Sequence, residues 1–227
     1  MSMDWNIENS VARHVPYGER FICLFSSGKD SALALSIACM GGGIPVSLIY
    51  CDSEEDILND YVFHWQSLRN VRLQSKMMGI PLEHHEGLWY RWPEVAKKFC
   101  SSVRYVVFGD LHLEGNLRIQ RRLCEKLGMI PCFPLWNVQY DTLMEELERH
   151  NITTIITAID PASQLQASWL GKEFNRTAYD HFRHLPIDSF GENGEYHTFV
   201  VNCNLFKRQL QYRLGESKNQ YITIEAW

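Results

Sequence analysis

The sequence predicts an α/β protein: a mostly parallel sheet flanked by helices, followed by a smaller α+β lobe. Segments typical of strands and of helices alternate between residues 20 and 159, which implies right-handed β-α-β crossovers. From residue 160 onward, aromatic and polar residues with turn signals replace this alternation. We therefore divide the chain into an N-terminal arm (1–19), a larger domain (20–159) and a smaller C-terminal lobe (160–227).

The order of the elements follows from the positions of apolar runs and turn residues. Predicted strands are short apolar runs, and they cover residues 21–25, 44–50, 81–85, 105–108, 130–133, 152–158 and 196–201. Predicted helices have apolar residues at helical spacing, and they cover residues 29–40, 58–78, 93–101, 114–127 and 141–150. The carboxyl ends of parallel strands meet at one edge of a sheet, where such sheets bind ligands.

Composition excludes several classes of protein. The chain has 227 residues and a net charge of −5 from 22 basic and 27 acidic side chains, which argues against broad, charge-driven binding of nucleic acid. It has no apolar run of eighteen residues and no charged-then-apolar leader, so we expect a cytoplasmic protein without a membrane span. Seven cysteines without a C-x-x-C pair indicate reduced thiols rather than zinc or a cluster. Association as a homodimer stays open.

The first predicted strand runs into a turn whose residue types suit a phosphate group. The candidate phosphate-binding residues are Ser26, Ser27, Gly28, Lys29, Asp30 and Ser31. Gly28 allows close approach of the backbone, and the first amides of the following helix lack intrahelical partners, so that they attract anions. Lys29 adds a positive charge, and Asp30 adds an oxygen that suits Mg²⁺. The alternative is an ordinary strand–turn–helix connection with surface side chains.

A second polar loop runs into the strand expected at 196–201. Eight consecutive residues place two carboxylates, an amide, a histidine and hydroxyls around two glycines: Gly191, Glu192, Asn193, Gly194, Glu195, Tyr196, His197 and Thr198. Such groups can bind a cation or a polar substrate, so we interpret these residues as substrate-binding. The alternative is a β-hairpin turn with solvated flanks, for which Asn-Gly alone would suffice.

Residues 26–31 resemble the PP-loop of the ATP pyrophosphatase superfamily, whose usual form is Ser-Gly-Gly-Lys-Asp-Ser. Ser27 replaces the first glycine, and a serine with positive φ there would be strained by roughly 1 kcal/mol. A Walker A loop is excluded, since Cys23 stands where its first glycine would be. Residues 191–198 follow the signature Gly-Glu-x-Gly-Glu-Tyr/Phe-x-Thr, and with the first loop they make residues 20–206 similar to the diphthine–ammonia ligase family.

One departure from this family precedes the second loop. The family usually has Asp-Pro-Cys before its signature, whereas this chain has Asp188, Ser189 and Phe190. The resemblance implies a Rossmann-like (HUP-type) fold, in which residues 20–159 form the ATP pyrophosphatase (PP-loop) domain and residues 160–227 bind the substrate.

The resemblance also implies a reaction with ATP and Mg²⁺. A substrate carboxylate attacks the α-phosphorus, an acyl adenylate and pyrophosphate form, and ammonia displaces AMP. In the family's best-known role, the carboxylate belongs to diphthine on elongation factor 2. Two alternatives stay open: the same chemistry on a different carboxylate or small molecule in a host without diphthamide, and a non-catalytic sensor of ATP or AMP.

The residues that match the first motif take roles around the nucleotide. Lys29 and the amides of its loop would hold the departing pyrophosphate, and Asp30 would bind Mg²⁺. Tyr50 and Cys51, at the end of the second strand, would border the adenine.

The remaining roles fall on the next strand end and the second loop. Gly109 and Asp110 would contact the nucleotide, with Asp110 as a second metal ligand or ribose contact unless it caps the following helix. Glu192 would take a proton from ammonia, and Glu195 would receive a cationic group of the substrate.

Overall fold

The computed structural model describes residues 11–52, 67–218 and 220–227 of the chain. Two sequence predictions extend beyond these ranges. Residues 1–10 of the predicted arm and residues 58–66 of the helix predicted at 58–78 lie outside the described residues. Within the described ranges, no helix is long and apolar enough to cross a membrane.

Five strands form a parallel sheet, as the alternation of elements predicts. They are β1 (Arg20–Leu24), β2 (Ile44–Asp52), β3 (Leu82–Glu86), β4 (Tyr105–Val107) and β5 (Ile130–Cys132). Their spatial order is β3-β2-β1-β4-β5, and every neighbouring pair is parallel. The chain runs outward in one direction from β1 and in the other from β4, so a crevice opens between the loops that follow these two strands.

The helices connect these strands and flank the sheet. Those of the described residues are α1 (Lys29–Met40), α2 (Leu68–Met78), α3 (Pro93–Ala96), α4 (Glu114–Leu127), α5 (Tyr140–Arg149) and α6 (Arg176–Phe182). Helix α2 ends at Gly79, whose φ of 70° suits glycine. The helix predicted at 93–101 is shorter, because α3 passes into a 3₁₀ turn at Lys97–Phe99.

A smaller antiparallel sheet combines a strand that lies before residue 160 with three strands of the C-terminal lobe. Its strands are β6 (Thr153–Ile159), β7 (Tyr196–Asn202), β8 (Tyr212–Lys218) and β9 (Tyr221–Ala226), in the order β7-β6-β9-β8. The strand predicted at 152–158 was expected to continue the alternation of the parallel sheet, but β6 pairs with β7 and β9 instead. A buried strand has the same apolar pattern in either sheet, so the pattern alone could not choose. The division of the chain at residue 159 stays a prediction.

The apolar core continues from the parallel sheet into the C-terminal lobe. Residues of β1 alternate between two clusters, with Phe21 and Cys23 in one and Ile22 in the other, as the two faces of a strand require. Helix α1 packs in the first cluster together with Phe190 and Tyr196 of the lobe. The loop between β1 and α1 is thereby held between the sheet and the lobe.

Gly109 lies where the turn after β4 passes close to the start of α1. A Cβ atom at this position would lie 2.8 Å from the carbonyl carbon of Asp30 and from the amide nitrogen of Ser31. Gly109→Ala should therefore lower the free energy of unfolding by about 1–3 kcal/mol, because backbone atoms must move. Gly115→Ala is the matched control, since a Cβ there meets no atom within 4 Å. Urea denaturation measures both variants, and equal effects would contradict this explanation.

Candidate functional site

A cavity of about 730 Å³ opens at the carboxyl edge of the parallel sheet. The predicted residues that line it are Ser26, Gly28, Lys29, Asp30, Ser31, Tyr50, Cys51, Gly109, Asp110, Gly191, Glu192, Asn193, Gly194, Tyr196, His197 and Thr198. Two predicted residues, Ser27 and Glu195, do not line it. The fold thus brings the two polar loops to one place, although 169 positions separate Lys29 from Thr198.

Part of the cavity wall comes from residues that the sequence analysis missed as site residues. Asn116 and Gln120 line it from α4, and Asp160 and Pro161 line it just after β6. Polar residues on an amphipathic helix are typical of a solvated face, so nothing in the sequence distinguished the two amides. Their contribution depends on how α4 packs against the sheet.

The loop at residues 26–31 is held by its own hydroxyl groups and by β7. The Ser31 hydroxyl lies 3.1 Å from the Ser26 hydroxyl and donates to the Gly28 carbonyl at 3.1 Å. A Cβ on Gly28 would lie 3.3 Å from the Thr198 carbonyl oxygen, so glycine allows β7 to approach closely. Helix α1 begins at Lys29, and Gly28 before it has no side chain to cap the helix. The Thr198 hydroxyl accepts the Lys29 amide, so an anion would meet the later amides of the first turn.

Ser27 has a positive φ of 71°, the conformation in which a serine at this position is strained. Its carbonyl oxygen accepts hydrogen bonds from the Val200 amide at 3.0 Å and from the Gln74 side chain at 3.3 Å. Its hydroxyl oxygen is buried without a partner among the described residues. The left-handed backbone is therefore maintained by β7 and α2, while the Ser27 hydroxyl contributes no hydrogen bond within the described residues.

The Lys29 ammonium is buried between the two loops. Its Nζ donates to Asp30 Oδ2 at 2.8 Å and to the Phe190 carbonyl at 2.5 Å, and its side chain is only 4% exposed. Three aromatic rings surround the ammonium with centroids at 5.3–5.5 Å: Phe174, Phe190 and Tyr196. The Lys29 amide donates to the Thr198 hydroxyl at 3.1 Å. Cation–π contacts and carbonyl oxygens replace the water that this cation loses.

Three carboxyl groups line the cavity, and the charge of Asp30 raises the pKa of the other two. Burial raises the pKa of Asp30, although Lys29 opposes the rise. Burial raises the pKa of Asp110 to about 6, and nearby Asp30 adds to the rise. Burial and the charge of Asp30 raise the pKa of Glu192 to about 8, while its Oε1 accepts the Leu111 amide at 2.8 Å. This concentration of negative charge favours protons or a cation.

Asp110 does not cap α4. That helix begins at Glu114 after Leu113, and no side chain caps it. The alternative interpretation of Asp110 therefore fails, and its carboxyl group stays in the cavity wall.

Glu195 organises the second loop from inside. One carboxylate oxygen accepts the Asp188 amide at 2.7 Å, and the other accepts the Asn193 amide at 3.1 Å. Asp188 in turn accepts the Phe190 amide at 2.8 Å and the Tyr140 hydroxyl at 2.5 Å. The predicted contact between Glu195 and a cationic group of the substrate therefore has no support in this geometry.

The fold and the position of the site define the class of the protein. It is an α/β protein of the Rossmann-like type, whose polar cavity lies at the point where the strand order reverses and is completed by a C-terminal lobe.

Comparison with known proteins supplies the family. Residues 19–131 match the N-terminal domain of diphthamide synthase, and residues 139–225 match the C-terminal domain. The chain therefore belongs to the diphthine–ammonia ligase (diphthamide synthase) family, which confirms the resemblance seen in the sequence.

Individual relatives named diphthine–ammonia ligase share low sequence identity with this chain. The chain is 23% identical to diphthine–ammonia ligase of Rattus norvegicus, covering 87% of this chain and 84% of the relative. It is 28% identical to that of Bos taurus, covering 84% of this chain and 82% of the relative. The crystal structure of a protein from Methanocaldococcus jannaschii, described as a predicted subunit of tRNA methyltransferase, aligns with this chain at 15% identity and a TM-score of 0.45. The alignment covers 84% of this chain and 99% of that one.

Replacement of Ser27 by glycine should stabilise the protein. Ser27→Gly removes both a left-handed serine and a buried hydroxyl without a described partner, so the free energy of unfolding should rise by about 0.5–2 kcal/mol. Ser27→Ala is the matched control, because it removes the hydroxyl and keeps the side-chain strain. Urea denaturation should rank glycine above alanine. A glycine variant less stable than wild type would show that the serine is not strained.

The raised pKa of Glu192 predicts a pH-dependent effect on stability. Because its folded pKa of about 8 lies above the ordinary value of 4.5 for a glutamate, ionised Glu192 destabilises the fold increasingly as pH rises between these values. Glu192→Gln should therefore raise Tm by roughly 3–6 °C at pH 9 and leave it unchanged near pH 4.5. Thermal unfolding without nucleotide measures this, with the exposed Glu125→Gln on α4 as control. A Tm difference that is constant with pH would contradict the assignment.

Proposed function

We propose that this chain is a cytoplasmic, ATP-dependent amide ligase of the diphthine–ammonia ligase type. The observation that carries the proposal is Lys29, which joins the phosphate-suited loop to the family's C-terminal signature inside one cavity. The relatives are named for the joining of diphthine and ammonia, which is the formation of a carbon–nitrogen bond. The carboxylate would be that of diphthine on elongation factor 2.

Residues 26–31 fit the tail of ATP. Beyond the Lys29 amide, which Thr198 accepts, the first turn of α1 offers amides and the positive end of a helix dipole to phosphate oxygens. Lys29 is held by Asp30 and by the Phe190 carbonyl, so its charge needs little reorganisation to meet the pyrophosphate that departs. The adenine would lie toward the end of β2, beside Tyr50 and Cys51.

The carboxylates of the cavity fit Mg²⁺. Asp30 Oδ1 is buried without a partner among the described residues, and the charge of Asp30 helps to raise the pKa of Asp110. In the described ranges, no three His, Cys, Asp or Glu side chains converge as a ready-made metal site. Mg²⁺ at nucleotide sites uses one or two carboxylates and takes other ligands from phosphate and water, so Asp30 and Asp110 would suffice. When bound, the ion would offset the charge of the phosphate oxygens.

The second loop would position the two other reactants. A substrate carboxylate beside residues 191–198 would attack the α-phosphorus, which forms an acyl adenylate and breaks the bond to pyrophosphate. Ammonia would then attack the acyl carbon, and AMP would leave. Glu192 would accept the proton that the attacking ammonia loses, since a pKa of about 8 suits proton exchange near neutral pH.

A different carboxylate substrate is the second candidate. The observation that favours it is Phe190, which stands where the family usually has cysteine and whose ring lies 5.3 Å from Lys29 Nζ. Phe190 is fully buried and packs against Tyr140 at 4.6 Å between ring centroids. A loop supported by such different packing can present residues 191–198 to a different acceptor.

Loss of the Lys29 charge should abolish the first half of the reaction. Lys29→Met keeps an unbranched side chain for the aromatic rings but removes the ammonium, so pyrophosphate release from Mg-ATP should fall by about 10²–10³-fold. Lys172→Met is the matched control, because Lys172 Nζ stacks on Trp169 at 4.9 Å and does not line the cavity. Thermal unfolding of both variants shows that they are folded. Release within about threefold of wild type in folded Lys29→Met would refute the proposal.

A further inference from the structure

Gln120 lies in a part of the cavity to which the proposed reaction assigns no role. This side chain of α4 lines the cavity and is only 3% exposed. Its Oε1 accepts a hydrogen bond from Trp92 Nε1 at 2.8 Å. The indole N–H can only donate, so it fixes which end of the Gln120 amide is the oxygen. The amide nitrogen has no hydrogen-bond partner among the described residues, which leaves an N–H donor for a ligand.

The surroundings of Gln120 differ from those of Lys29. Trp92, Ile49 and Phe108 pack together in one apolar cluster, and Ile49 and Phe108 also line the cavity. The aromatic rings around Lys29 belong to the other cluster, with α1. One end of the cavity therefore holds the ion pair of Lys29 and Asp30, whereas the other is apolar with a fixed amide donor. A flat group with apolar faces and a hydrogen-bond acceptor on its edge fits the second end.

We propose that Gln120 determines specificity for the nucleotide base by donating a hydrogen bond to one ring nitrogen of adenine, and that Trp92 holds the amide in this orientation. The inference rests on the proposed function, in which Lys29 takes the phosphates and Tyr50 and Cys51 border the base. An unprotonated ring nitrogen can accept a hydrogen bond from the amide N–H of Gln120 but can form none with the amide oxygen. The bond to Trp92 prevents the amide from turning its oxygen toward the base. Gln120 would thus select an acceptor at that point of the base edge.

The test compares equilibrium binding of ATP with binding of three analogues in which N1, N3 or N7 is replaced by C–H. In the wild-type protein, one analogue should bind about 3–10-fold more weakly than ATP, which is the range for one lost hydrogen bond. In Gln120→Met, ATP should weaken by the same factor and this analogue should no longer differ from ATP. Three analogues that bind as ATP does, or ratios that Gln120→Met leaves unchanged, would overturn the assignment.

Further variants separate this result from misfolding and from failure of the proposed function. Gln120→Met leaves the buried Trp92 N–H without its acceptor, so the double variant with Trp92→Phe removes both partners and should show the same loss of discrimination. Ile119→Ala, at the exposed neighbouring position of α4, should bind all four nucleotides as wild type does. ATP that does not bind the wild-type protein would overturn the proposed function as well, whereas ATP that binds without discrimination overturns the role of Gln120 alone.

Discussion

The burial of one positive charge governs this site. Taking an ammonium group out of water costs several kcal/mol unless charges and dipoles replace the water. Lys29 finds that compensation in two distant parts of the chain: in Asp30 next to it, and in the Phe190 carbonyl and the aromatic rings of the C-terminal lobe. The phosphate-suited loop and the lobe are therefore each incomplete without the other.

The docking of the lobe also explains an unfavourable stretch of backbone. Ser27 keeps a φ of 71° because hydrogen bonds from Val200 and Gln74 hold its carbonyl oxygen from two sides. Thr198, two residues before Val200 on β7, accepts the Lys29 amide. Strain that is sustained by surrounding structure is typical of sites that must be shaped before the ligand arrives. The lobe thus acts as a brace for the loop as well as a wall of the cavity.

Contiguous residues are enough to predict the parallel sheet and both polar loops, because apolar runs, glycines and the residues around Lys29 are local signals. The partners of β6 are not local, since a buried strand has the same pattern beside either sheet. The direction of a side chain within a loop depends on backbone dihedrals, so the sequence could not show that Ser27 turns away from the cavity or that Glu195 closes its own loop. The orientation of the Gln120 amide depends on its hydrogen bond with Trp92, a residue 28 positions away that no local pattern pairs with it.

The central claim is that residues 26–31 hold the tail of a triphosphate while the C-terminal loop faces its α-phosphorus. A crystal structure with Mg²⁺ and an ATP analogue whose α–β bridging oxygen is a methylene group tests it most directly. We expect the β- and γ-phosphate oxygens to contact the first amides of α1 and Lys29 Nζ, with the α-phosphorus toward residues 191–198. A triphosphate bound elsewhere, for example beside Arg20 and Arg104 at the opposite edge of the sheet, would contradict the account.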